Sequence, residues 1–277
     1  MEKSLKYYLS LICLVSFFSC KNEISNLDTA QKTELAEKTY QDAIQFRQGS
    51  TAFQNGIADA VKINPDYQAA VYELSVAHLK RGMPHKWLPQ YNKAVKLDSV
   101  TRIPWRGYLY LWFYRDYKKA IADFDASDTL TPNFIDAPQG HSVDYWRGIA
   151  YLGLKDYKNS LFYFDKYIAK EIKDSGEDWV ELTAFLYRGI AYYEIEDYDN
   201  ALLNFDKQLQ YGRNLSADAK YYKALIFKKQ NQIDKAKESI EGAIKDYNLG
   251  YYNNRAYVET LRQIYPEDIE ALQNSIK

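Results

Sequence analysis

Beyond residue 20 this sequence holds no cysteine; Cys13 and Cys20 are the only two. The remainder therefore has no disulfide and no thiol to serve as staple, nucleophile or soft metal ligand. Histidine is nearly as scarce. His78, His85 and His141 are scattered, and none pairs with another or with cysteine at ligand spacing, so no metal is expected. Charge of one sign is lacking as well, since 36 basic side chains are interspersed with 37 acidic ones. That balance gives no field for recruiting nucleic acid, and the charges read as a solvated face. Gly-rich phosphate loops and nucleophile elbows are missing, so neither a cofactor nor catalysis is expected unless groups converge from distant segments. Asp123-Phe124-Asp125-Ala126-Ser127-Asp128 imitates the opening of a calcium loop. It carries Asp128 where the loop needs Gly and reaches Phe134 where it needs Glu.

What is present begins with a short basic start, Met1 to Lys6, followed by an almost uncharged apolar run from Tyr7 to Ser19. The run is too short to span a membrane and reads as a signal peptide over residues 1–19. It ends Val15-Ser16-Phe17-Phe18-Ser19-Cys20, which resembles the lipobox of bacterial lipoproteins, with Phe17 where Leu is common. The resemblance implies that Cys20 becomes the first mature residue and carries the lipid. An ordinary signal peptide that happens to contain a cysteine is the alternative. Lys21 after the cysteine implies, by the same resemblance, an outer-membrane lipoprotein of a Gram-negative cell, facing the periplasm or the surface. Residues 20–33 would be the lipidated Cys20 and a polar tether.

From there the chain repeats itself. Trp105-Arg106-Gly107, Trp146-Arg147-Gly148 and Tyr187-Arg188-Gly189 are each followed by Asp-Tyr and then by Phe-Asp, at Phe124-Asp125, Phe164-Asp165 and Phe205-Asp206. A period of roughly 34 to 41 residues with two helical patterns per unit indicates a helical solenoid. The units resemble the tetratricopeptide repeat (TPR), which has a small residue in helix A, an aromatic three residues on, and Ala then an aromatic in helix B. We place units near residues 34, 68, 101, 141, 182 and 217, with the first degenerate because Gln41 stands where a small residue is expected. Gly148 and Gly189 let helix A approach a neighbour closely, and their recurrence at one register argues for packing. Pro65 and Pro132 sit at the terminal proline position of their units.

The implied fold is an all-α, right-handed TPR-type solenoid of about six helix-turn-helix units over residues 34–250, closed by capping helices over 251–277. Asn253 to Tyr265 has apolar residues at helical spacing and is expected to be the first cap; Pro266 opens the last helix. Thr129 to Ser142 and Lys170 to Asp178 exceed the usual turn, as a functional rim or as length variation alone.

Two sets of side chains are candidates for roles. Arg before Gly and Asp after Phe occur in the same three units, so Arg106, Arg147 and Arg188 are expected to pair with Asp125, Asp165 and Asp206, within a unit or across to the next. A basic stripe facing a ligand is the alternative. The inner-face register of helix A, taken from TPR solenoids, gives Tyr72, Lys80, Tyr108, Trp112, Tyr145, Tyr193, Tyr221 and Lys228 as a candidate groove for an extended peptide or protein. These rings could equally fill space between A helices. The leading function is a lipid-anchored, non-catalytic scaffold that binds protein in the cell envelope. A structural subunit of an envelope assembly or secretion machine is the alternative, and a glycan-handling surface protein, prompted by the aromatic content, is the weakest.

Overall fold

A computed structural model describes residues 24–276; Cys20 and the leader expected before it lie outside the described residues. Thirteen α-helices occur among them, joined in pairs by turns, as the all-α reading requires. They fall into two compact units, Met1–Ser99 and Val100–Lys277.

The first unit holds α1 (Thr29–Ala43), α2 (Thr51–Ile63), α3 (Gln68–Lys80) and α4 (Pro84–Leu97). Asp28 and Gln31 form a reciprocal capping box, so α1 begins at Thr29, before the expected start near residue 34. The degenerate first pair makes its close approach from the other helix: a Cβ on Gly56 of α2 would fall 2.6 Å from Ala43 Cβ. Phe53, Ile57, Ala60 and Ala70 complete that core. Between α3 and α4 the chain turns at Gly82, whose φ of +67° is open to glycine without strain.

In the second unit α5 (Ser99–Leu109) runs into a π-helical turn at Tyr110–Tyr114 and pairs with α6 (Tyr117–Leu130). Then come α7 (Val143–Gly153) with α8 (Tyr157–Asp174), α9 (Leu182–Glu194) with α10 (Tyr198–Tyr211), and α11 (Ala217–Lys229) with α12 (Ile233–Asn248). The first helix of each pair is helix A, the second helix B. The repeated Gly stands against the repeated Phe of its own unit: a Cβ on Gly107, Gly148 or Gly189 would come within 2.6, 2.8 or 2.6 Å of Phe124, Phe164 or Phe205. The repeated Asp-Tyr is explained by capping. Asp116, Asp156 and Asp197 accept from the backbone N–H three residues on, at 3.2 Å each, and so start α6, α8 and α10.

The π turn has a cause in the sequence. Nine residues separate Gly107 from Asp116, against eight from Gly148 to Asp156 and from Gly189 to Asp197. A turn closed by i→i+5 bonds absorbs one inserted residue without ending the helix. Helix α8 also runs past Lys170 to Asp174, so the second long connection shrinks to Ser175–Glu181.

The C-terminus departs from expectation. Asn253–Tyr265 is not a capping helix but an irregular strap with one antiparallel bridge between Arg255 and Val258 and left-handed backbone at Tyr257 and Arg262. Its apolar spacing fits a helix, yet its polar residues find partners on the A helices, and tertiary bonds override a weak local preference. Only α13 (Pro266–Ser275) caps the unit as a helix, with Ile264, Ile269, Leu272 and Ile276 packed against Ala224, Ile240 and Ala243.

Candidate functional site: an A-helix face crossed by a strap

Helices α5, α7, α9 and α11 each contribute a side chain to the strap. Tyr251 O accepts from Ala217 N–H at the start of α11. The backbone N–H of Asn253 then donates to Asp218 Oδ2 at 2.7 Å, and its Nδ2 donates to the Tyr187 hydroxyl of α9 at 2.8 Å. Arg255 reaches furthest. Its guanidinium lies 4.6 Å from the Trp112 ring centroid, 5.3 Å from Trp146 and 5.5 Å from Tyr108, whose hydroxyl accepts from Nη2 at 2.8 Å. The return leg is fastened by ion pairs of Glu259 with Arg115 at 3.1 Å and of Arg262 with Glu194 at 2.8 Å.

The aromatic cradle is preformed by ring-on-ring contact. Trp146 stands edge-on to Tyr108 and to Trp112, at 5.1 and 6.1 Å between centroids, and its Nε1 donates to Pro138 O in the long α6–α7 connection. His141 from that connection packs edge-on to Trp146, and burial, with Arg255 adding to it, keeps the imidazole below its usual pKa and so neutral at pH 7. Asp218 is buried, which lifts its carboxyl to about 6 against the pull of the Asn253 N–H. Burial likewise raises the Tyr187 hydroxyl well above the usual range, so it stays protonated.

The strap covers part of the expected groove. Tyr108 and Trp112 are 8% and 4% exposed, because the strap lies on them. Tyr145, 2% exposed, packs among Trp146, Phe164 and Tyr167 and shares a hydrogen bond with Thr183, which makes it core. Tyr193 and Tyr221 are half-buried against Tyr222, and Lys228 reaches Ser275 Oγ on α13 at 2.7 Å. In the first unit Tyr72 stands edge-on to Tyr91, and Lys80 donates to Gln48 at 2.7 Å. Trp146, Tyr187, Asp218, Asn253 and Arg255 escape the sequence reading. The run Gly250-Tyr251-Tyr252-Asn253-Asn254 carried a signal, since Gly and paired Asn favour turns over helix.

The charge pairs form an inter-unit ladder away from the strap. Arg147 of α7 meets Asp125 of the preceding unit at 3.1 Å, and Arg188 meets Asp165 at 2.8 Å. Asp206 continues the series with Lys223 of α11. Arg106 differs from the expected partner set, taking Asp123 of its own helix B through Nε and Nη2 at 2.8 and 2.7 Å. Within its own unit Arg188 donates to Asn204, at the place Asp123 holds for Arg106. Arg147 is 1% exposed and also binds Asp128 at 2.5 Å and Asp144 at 2.8 Å. Burial works against its charge, and those three carboxylates outweigh it, holding its pKa above the usual value. The Asp123–Asp128 run therefore supplies partners to arginines.

No family model matches the chain, and no curated protein matches its sequence. Solved structures do. The chain is similar to PilW, described as a widely conserved type IV pilus biogenesis factor, with a TM-score of 0.60 and 16% identity over 87% of this chain and 96% of that one. It is similar to PilF of Pseudomonas aeruginosa, with a TM-score of 0.59 and 18% identity over 79% and 96% of the two chains. It is similar to YrrB, a TPR protein with an unusual peptide-binding site, with a TM-score of 0.50 and 20% identity over 69% and 92%. The fold is that of a TPR protein.

Proposed function

We propose that this chain is a non-catalytic scaffold that binds a protein or extended peptide, tethered through a lipid on Cys20 in the envelope of a Gram-negative bacterium, at the outer membrane. The observation that carries it is the A-helix face of the second unit. There, four A helices offer Tyr108, Trp146, Tyr187 and Asp218, and Asn253 and Arg255 of one non-helical segment reach all four. A surface that takes a non-helical segment through a backbone N–H, a side-chain amide and a stacked guanidinium suits a peptide better than a reacting substrate.

A second reading, a structural subunit of an envelope assembly, is favoured by the similarity to PilW and its description as a pilus biogenesis factor. Crosslinking in intact cells, followed by purification from membranes, tests both. One stoichiometric complex supports the subunit reading, many transient partners the peptide scaffold, and neither would sink the proposal.

A further inference from the structure

The strap is held differently at its ends and in its middle. Ile264, 3% exposed, and α13 anchor one end in the apolar core, and the Tyr251 carbonyl is fixed at the start of α11 at the other. Between them, no apolar side chain from Asn253 to Gln263 is buried; Ala256 and Tyr257 are exposed, and Val258 and Leu261 are half-buried. The middle is retained mainly by polar bonds and by the Arg255 guanidinium. A segment with few buried apolar contacts opens locally at a small fraction of the cost of global unfolding. It can lift without dislodging α13.

The site beneath is more specific than the strap requires. Trp112, Trp146 and Tyr108 surround one guanidinium, and Tyr108 supplies an acceptor. A planar, weakly hydrated cation with forked donors fits such a cradle, where an ammonium would keep its water. The strap also leaves the cradle incomplete, because Trp112 Nε1 is buried without a hydrogen-bond partner among the described residues. A buried donor left unpaired is a cost that a segment bringing an acceptor would remove.

We infer that residues 253–263 are a displaceable internal ligand, and that the face beneath binds an extended protein segment that places an arginine between Tyr108, Trp112 and Trp146. This rests on the scaffold reading and adds the chemistry of the occupant. A partner must outcompete the strap, so the closed chain binds more weakly than its intrinsic affinity by the fraction of time the strap is lifted.

The test uses a labelled peptide with the sequence of residues 250–265, titrated into the full chain. The Arg255→Ala protein, its strap weakened, should bind it at least about tenfold more tightly than the wild type. A peptide with Ala at the position of Arg255, its second arginine at 262 kept, should lose at least as much. Hydrogen exchange on the wild type provides a readout that depends on no variant: the amides of Asn253 and Thr260 should exchange about a hundredfold faster than those of mid-α9. Strap amides as slow as α9 would overturn the inference, as would a folded Arg255→Ala protein that ignores the peptide, or equal binding of both peptides. Dimerisation of Arg255→Ala in place of peptide binding would assign the face to a second copy and also overturn it. Peptide binding with no partner crosslinked in cells would leave this inference standing while the scaffold reading fails.

Discussion

The backbone N–H of Asn253 lies 2.7 Å from Asp218 Oδ2, and Asp218 is 1% exposed. Burial is the larger influence and lifts the carboxyl from 3.8 to about 6. The folded chain then binds this proton more tightly than the unfolded one, so between about pH 4 and 6 this group's contribution to stability falls as pH rises. Asn at 218 keeps an acceptor for the strap and removes the titration. Asp218→Asn should be more stable than the wild type at pH 7.5 by about 3 kcal/mol, with the advantage gone by about pH 4, read from urea midpoints. An advantage that grows toward acid would refute the assignment.

Arg147→Ala should cost about 3–5 kcal/mol, because Asp125, Asp128 and Asp144 would be left facing one another with Lys166 the remaining cation, 2.9 Å from Asp144. Arg115→Ala removes an ion pair whose side chains are 44% and 63% exposed, and should cost about 0–1 kcal/mol. Urea unfolding of both variants compares them.

Gly148→Ala gains helix propensity of about 1 kcal/mol yet places a Cβ 2.8 Å from the Phe164 ring. Overpacking wins, with a net loss of about 1–3 kcal/mol. Pairing it with Phe164→Leu should recover part of the loss in a double-mutant cycle; simple additivity would show that the two do not touch.

Tyr108 and Trp112 substituted together with Ala should lower the melting temperature by more than about 8 °C, since the change empties the cradle under the strap and orphans Arg255. An unchanged melting temperature would restore the open-groove assignment.

Cys20→Ser should abolish incorporation of labelled palmitate and leave the protein unprocessed or soluble. Retention in the detergent phase would remove the lipid anchor from the proposed function.

The sequence and the structure agree where spacing alone decides the outcome. The repeated glycines read as close helix contacts, and Gly107, Gly148 and Gly189 do face Phe124, Phe164 and Phe205, because such a contact acts over one packing distance; the capping role of the repeated Asp appears only in the structure. The repeats left the register of the arginines open, since only the docking of adjacent pairs selects Asp125 over Asp165 for Arg147. The aromatic groove was harder. Tyr108 and Trp112 lie beneath the strap, and whether a face is open depends on what another part of the chain does.

Composition and period by themselves determined that this chain is an all-α array of helix pairs, because an amphipathic helix pair with a small residue at its crossing buries its apolar face in few other ways. Tertiary structure alone decided the fate of residues 253–265. Their helical spacing is worth a few tenths of a kcal/mol per residue, and it yields to bonds with Asp218, Tyr187 and Tyr108 that lie 35, 66 and 147 positions away in the chain.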